Sequence, residues 1–325
     1  MPMKVRQVTP GAALPGGIVR VQIEGLEGVL GLRAEIGEAE AEFVGASETV
    51  LTLRVPQEPA GQGLVVSQGA KKARYPLRVG RTVASELHSV ANPVVDPKGT
   101  VYCTFSGARG EKAPFCVFTI DPAGVKQPFL ADLMNPTGLA FGPDGHLYIT
   151  SRHTGAVYRS SPDKQVEKHV DGLGIATGLV FDSAGNLYVG DRSGSIYRIS
   201  PDRQVSPFCE LEPSVSAYHL AIAPDDTLFV TGPTLSTQDC IYRIPPSGQV
   251  EVYFRGFGRP QGLAFDASGD LQVAASFQGK KGIYTLKDRV PQWTISGPML
   301  VGLAYNEDKS KLYLVDSSHL FVLES

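Results

Sequence analysis

The chain has 325 residues, 42% of them hydrophobic, with 36 glycines, 24 prolines and a formal net charge of −3. That length suits two domains or one large β fold, and the glycine and proline content suits many turns rather than long helices. The slightly acidic balance excludes a strongly basic surface overall, so no nucleic-acid partner is expected; no run of about 18 apolar residues occurs, so no membrane insertion is expected.

The opening residues Met1-Pro2-Met3-Lys4-Val5-Arg6 lack the apolar stretch of a secretory signal. A cytoplasmic protein is expected if Met1 is the natural start, and a periplasmic or secreted one if a leader was removed. Residues 1–80 read as short strands at 4–8, 19–25, 32–37, 48–56, 63–68 and 72–79, separated by turn signals, as in a small β-sandwich. Val19-Arg20-Val21-Gln22-Ile23 and Leu51-Thr52-Leu53-Arg54-Val55 alternate apolar and polar, the pattern of a half-buried strand. The junction at 79–82 is too short for a free linker, so the two parts are expected to pack in a fixed orientation.

From residue 81 the chain repeats one phrase. An apolar run leads into a turn, and an apolar-Tyr-apolar strand follows. The runs are Gly138-Leu139-Ala140-Phe141, Gly178-Leu179-Val180-Phe181 and Gly262-Leu263-Ala264-Phe265, with weaker copies at Asn92-Pro93-Val94-Val95, His219-Leu220-Ala221-Ile222 and Gly302-Leu303-Ala304-Tyr305. Their turns are marked by Gly99, Gly145, Gly185, Asp226, Gly269 and Lys309. A period of about 40 residues with four short strands per repeat predicts a β-propeller, here with six blades over 81–325. The last repeat supplies only the strands 302–305, 311–316 and 319–324. An open last blade would leave an unpaired edge, so residues 82–87 are expected to close the ring. Tyr148, Tyr188, Tyr197 and Tyr242 recur at repeat positions and read as packing residues.

Four cysteines are too few for a disulfide scaffold, and no Cys/His spacing suggests zinc. Cys103 and Cys116 fall on two predicted strands of one hairpin, where either free thiols or a disulfide would fit.

In such a repeat the start of the first strand lies beside the end of the second, near the central channel. This gathers Asn92, Thr137, Thr177, Tyr218, Gln261 and Val301, with His88, Asn135 and His219 nearby. Opposite them come Arg152, His153, Asp191, Arg192, Thr231, Ser276 and Asp316. Polar groups converging on one end of a channel define the candidate ligand-binding face. The neighbouring loops add Arg109, Glu111, Lys112, Asp239, Lys280 and Lys281. Cations outnumber anions among these residues, which gives a mild preference for an anionic small molecule or protein partner; solvated loop charges are the simpler reading. His153 and His219 read either as general bases or as structural hydrogen-bonders. Asp191 and Arg192 read either as a functional pair or as a salt bridge between blades. No nucleotide-binding glycine pattern, nucleophile elbow or HExxH helix occurs, and no catalytic residue is assigned.

Two stretches resemble known families. Val8-Thr9-Pro10, Pro15-Gly16-Gly17, Val21-Gln22-Ile23-Glu24-Gly25, Leu51 to Pro56 and Tyr75-Pro76-Leu77-Arg78-Val79 resemble IPT/TIG immunoglobulin-like domains. That likeness implies a binding or spacer module over 1–80. The repeat over 82–325 is similar to NHL repeats and to the six-bladed gluconolactonase (senescence-marker-protein) propellers. The streptogramin lyases share its Pro-Asp-Gly turns but are seven-bladed. The lactonase resemblance implies a channel dication, Ca²⁺ or Mg²⁺, held by a Glu of an EGP motif, two Asn and an Asp before a Gly. Here those positions read Ala91-Asn92-Pro93, Thr137-Gly138, Thr177-Gly178, Tyr218-His219, Gln261-Gly262 and Val301-Gly302, without a carboxylate. The preferred expectation is therefore a binding propeller without cofactor or metal, and the alternative is a metal-dependent lactonase. A carbohydrate-associated scaffold is a third reading, suggested only by the company such N-terminal modules keep.

Overall fold

The computed structural model describes residues 2–107, 110 and 113–324; the loop charges Arg109, Glu111 and Lys112 lie outside the described residues. Every regular element among the described residues is a strand.

Two four-stranded sheets form the N-terminal part. One orders Lys4–Thr9, Ile18–Glu24, Val50–Arg54 and Glu42–Ala46; the other orders Ala39–Glu40, Leu32–Ile36, Leu64–Gln68 and Lys71–Tyr75. The predicted alternation turns Val19, Val21, Ile23, Leu51 and Leu53 into a core shared with Ile36, Leu64 and Val66 of the other sheet. Glu42–Ala46 was not foreseen. It is an edge strand, largely exposed and interrupted by Gly45, so it carries no apolar period.

The repeats fold as predicted at their turns. All six markers have positive φ, from +55° at Lys309 to +81° at Gly99. Each marker's N–H returns to the carbonyl three residues earlier, as Gly185 N–H does to Asp182 O (3.1 Å). Where the turn's first position is a carboxylate, at Asp96, Asp182 and Asp266, it accepts two further backbone N–H groups; Asp182 Oδ1 takes those of Ala184 and Asn186. This local chemistry reverses the chain between the inner two strands of a repeat. The strands group into antiparallel four-stranded sheets, such as Pro136–Phe141, Leu147–Ser151, Ala156–Ser160 and Val166–Val170. The strand Glu251–Phe265 runs without interruption from the outer edge of one repeat to the inner edge of the next.

Arg81–Ala84 pairs antiparallel with Leu320–Glu324. The pairing starts one residue before the predicted 82–87 and stops sooner, because Glu86 enters the left-handed region at φ +56°. Leu87 N–H still reaches Ser318 O (2.9 Å). Cys103 lies across from Phe118 rather than Cys116, and both cysteines are buried free thiols. Burial pushes the Cys103 thiol up to about 12.

Where an apolar run leads with glycine, that glycine sits where neighbouring repeats nearly touch. A Cβ on Gly138 would lie 2.5 Å from Thr177 O, on Gly178 2.4 Å from Tyr218 O, and on Gly302 2.6 Å from Ala91 O. These contacts bring the inner strands together, start against start.

The N-terminal part is joined to the repeats by more than the junction. Ala12–Ala13 pairs in parallel with Val290–Ser296, and Arg78–Val79 pairs with Ala12–Ala13, extending that repeat's sheet. Leu14 is fully buried among Ala274, Ile283, Ile295, Leu300 and Phe321, a burial that contributes roughly 1.5–3 kcal/mol. Ser296 fastens the segment, accepting Ile18 N–H at Oγ (2.7 Å) and Leu14 N–H at its carbonyl (2.8 Å).

Candidate functional site

The antiparallel pairing brings the start of each repeat's first strand to the end of its second: Pro136 faces Ser151, Ala176 faces Asp191, His219 faces Thr231 and Gly302 faces Val315. The inner strand starts surround a cavity of about 30 Å³ lined by Asn92, Gly138, Gly178 and His219 with their neighbours. Asn92 and His219 thus hold the place that glycine fills elsewhere in the repeat. The sequence reading grouped Asn92 with the residues preceding those glycines; the structure moves it one step along.

Asn92 links other repeats. Its Nδ2 donates to Leu263 O (3.0 Å) and its Oδ1 accepts Leu303 N–H (3.2 Å). His219 is 2% exposed, and its Nε2 is buried without a hydrogen-bond partner. Burial pulls its imidazole down to about 4 from an ordinary value of 6.5, so the ring is neutral at pH 7. Thr177 is also buried; its hydroxyl donates to Gly190 O (2.8 Å) and accepts Tyr218 N–H (3.2 Å). Tyr218 is fully buried, with its hydroxyl on Glu212 O, and burial raises its phenol. Thr137 and Gln261 are buried beside the same strand starts.

Farther out, Asn135 holds the loop that follows the first repeat's second strand. Its Oδ1 accepts Gly110 N–H (2.8 Å) and its Nδ2 donates to Gly107 O (3.0 Å). Arg152 Nη2 reaches the same Gly107 O (2.9 Å). His153 and His88 are exposed beside this loop, the His88 ring 5.6 Å from that of Phe105.

The carboxylates at this end are committed. Asp191 Oδ1 accepts Ile175 N–H (2.7 Å) and its Oδ2 accepts the Ser193 hydroxyl. Asp316 Oδ1 accepts Ser318 and His319 N–H (2.7 and 2.6 Å). Asp239 accepts Thr234 N–H (2.8 Å) and Arg259 N–H (3.2 Å). Arg192 does not pair with Asp191, in a functional pair or otherwise. Its guanidinium donates to Ser214 O (3.4 Å) and Val215 O (2.6 Å), bridging toward the next repeat through carbonyls.

The dication implied by the lactonase resemblance does not fit this donor set. Asn92 has both amide atoms in use, and Asp191 and Asp316 are occupied by backbone N–H groups and hydroxyls. Among the described residues no three or more His, Cys, Asp and Glu cluster as metal ligands. A hard dication needs several free oxygen donors, carboxylates first.

A cleft of about 660 Å³ opens at the opposite end of the hairpins, where the turns lie. Its residues come from three different repeats, so no single stretch of sequence signals it.

Sheets of short strands repeated in this manner define a β-propeller-like fold, and solved structures agree. A gluconolactonase from Xanthomonas campestris is 18% identical with a TM-score of 0.63, covering 75% of this chain and 89% of that one. An auxiliary nutrient binding protein from Bacteroides thetaiotaomicron is 12% identical with a TM-score of 0.57, covering 100% and 98%. A virginiamycin B lyase from Staphylococcus aureus is 15% identical with a TM-score of 0.53, covering 95% and 99%. No protein-family model and no curated protein matches the chain.

Proposed function

We propose that this chain is a non-catalytic binding protein: a six-bladed propeller over 81–325 carried behind an IPT/TIG-like immunoglobulin sandwich over 1–80. It takes a small ligand or partner, preferentially anionic, on the face where the inner strands start. The observation that carries this reading is the disposition of charge there. Asp191, Asp239 and Asp316 are turned onto backbone N–H groups, whereas Arg259, Lys280 and Lys281 stay exposed and Arg192 half-exposed. Inward carboxylates serve the loops; Arg192 keeps its charge while donating to two carbonyls, Lys280 lies over the Trp293 ring (5.3 Å), and the charge turned outward is positive, which favours an anion. The likeness to a nutrient-binding protein over the whole chain, N-terminal sheets included, supports the same reading.

The second reading is a gluconolactonase-like hydrolase, favoured by the likeness to the Xanthomonas enzyme over the repeats. A thermal-shift screen of the full chain against anionic metabolites, with sugar lactones, Ca²⁺ and Mg²⁺ in parallel arms, separates the two. The binding reading expects an anionic ligand to raise Tm, and the shift to shrink when Arg192, Lys280 and Lys281 are replaced by Ala. Turnover of a lactone together with a stoichiometric bound dication would replace it with the hydrolase.

A further inference from the structure

The cleft at the turn end of the first two repeats has an unusual wall. Tyr102 lies on Val101–Thr104, Phe129 on Lys126–Leu130 and Phe141 on Pro136–Phe141 of the next repeat. Phe129 stands perpendicular to Tyr102 (5.1 Å between centroids, 88°), and so does Phe141 (5.3 Å, 89°). All three rings are half-buried. At these separations the rings touch edge to face, and together they form one aromatic wall of the cleft.

A carboxylate stands at this wall. Asp96 Oδ1 accepts Lys98 N–H (2.9 Å) and Thr100 N–H (2.8 Å), which holds the turn. Its Oδ2 has only the Tyr102 hydroxyl, at 3.5 Å, a distance at which a hydrogen bond is weak. The matching carboxylate of the third repeat is not in this condition: Asp182 Oδ2 accepts Asn186 Nδ2 (2.8 Å) and the Tyr188 hydroxyl (3.3 Å). The first repeat has Thr100 where the third has Asn186, so Asp96 keeps acceptor capacity toward the cleft. In the fifth repeat Gln272 stands where the first has Tyr102, and its Nε2 donates to Asp266 Oδ2 (3.5 Å). An available carboxylate and a wall of three aromatic rings coincide in the first repeat.

One ammonium of this chain already uses the wall: Lys164 Nζ lies 5.3 Å from the Phe129 centroid. At the mouth Lys98 and Glu307 are both exposed and opposite in sign, so solvent and mutual cancellation leave Asp96 as the deeper charge.

We propose that this cleft binds a small organic cation with a methylated ammonium head, seated on the wall made by Tyr102, Phe129 and Phe141 and against Asp96. Aromatic rings attract a cation through their quadrupole, most strongly where water is displaced. The ring faces accept no ordinary hydrogen bond, and beside them only Asp96 Oδ2 and the Tyr102 hydroxyl stand as side-chain acceptors, too few for the three N–H groups of a primary ammonium, whereas a trimethylammonium head has none to satisfy. The volume suits a ligand of metabolite size. This site lies at the opposite end of the hairpins from the anion-binding face and does not depend on it.

The test uses the full chain titrated calorimetrically with choline and, separately, with its uncharged isostere 3,3-dimethylbutan-1-ol. Saturable choline binding is expected, with the isostere weaker by about tenfold or more. Asp96→Asn keeps an oxygen for the two turn N–H groups and should weaken choline by a similar factor at unchanged Tm. Phe129→Leu keeps the apolar volume and should do the same. Equal binding of both probes, no saturable choline binding, or choline affinity untouched by Asp96→Asn would each overturn the proposal.

Discussion

His219 shows how one substitution within a repeat changes chemistry. Gly138, Gly178, Gly262 and Gly302 stand where the inner strands of their repeats crowd together, and here an imidazole fills part of the space. Burial is the sole cause acting on its proton affinity; no charged neighbour contributes. The consequence is a pH dependence of known sign. The folded pKa, about 4, lies below the ordinary 6.5, so between these values the unfolded chain binds the extra proton. The stability tied to this residue is therefore intact above pH 6.5 and falls as pH drops toward 4, by about 3 kcal/mol at most. Urea unfolding at pH 7.5 and 4.5 should show that the wild type loses more stability than His219→Asn, whose side chain does not titrate. Equal losses in the two proteins would mean that the ring is protonated or solvated in the folded state. The same burial removes His219 as an exchangeable base for a ligand on the outer surface, a distinction that sequence position alone does not carry.

At the scale of elements, Gly138, Gly178 and Gly302, which open inner strands, are held by their neighbours rather than by their own φ, whereas Gly262 also takes φ +48°. Gly178 is not in the left-handed region, yet a Cβ there would approach Tyr218 O to 2.4 Å. Gly178→Ala should therefore destabilise by about 1–3 kcal/mol through forced separation of adjacent repeats. Gly145→Ala meets no atom within 4 Å and suffers only from φ +74°, which costs about 1 kcal/mol. Paired denaturant titrations distinguish the two, and a Gly178→Ala protein as stable as the wild type would refute the close approach. The repeat was legible because its turns are written locally: an Asp, a Gly, and strands of β-branched and aromatic residues fix each hairpin within a dozen positions. The reason for the leading glycine was not legible, because the atom it avoids belongs to the next repeat. The candidate face was legible in the same partial way. Strand pairing put Thr177, Asp191 and Asp316 at the expected end, but whether a carboxylate faces outward or caps its own loop depends on loop geometry. Asp191 and Asp316 proved to be caps. The aromatic cleft left no trace in the reading because Tyr102 and Phe141 each look like ordinary packing residues until their repeats are set side by side.

For the whole molecule the decisive contact is the one that makes the N-terminal sheets part of the propeller-like body. Ala12–Ala13 and Arg78–Val79 continue the sheet that ends at Val290–Ser296, and Leu14 enters the same apolar cluster as Leu300 and Phe321. Gly80 is shaped to this contact: a Cβ there would meet Leu14 Cδ2 at 2.5 Å and Val322 O at 3.0 Å. Leu14 thus packs against the strand Leu320–Glu324, which itself joins the end of the chain to Arg81–Ala84. The plug and the ring closure share one strand, so loosening one should loosen the other. Leu14→Ala should cost about 2–5 kcal/mol, the range for a buried leucine whose site cannot collapse. The fragment 81–325 should fare worse. It keeps the ring-closing strand, but it exposes the Leu14 socket and leaves Val290–Ser296 as an unpaired edge. We expect the full chain to melt in one transition, and the fragment to melt lower and to associate at micromolar concentration, read by scanning calorimetry and light scattering. A monomeric fragment melting at the temperature of the full chain would show that the N-terminal sheets are a passenger, and that the propeller owes its stability to its own repeats alone.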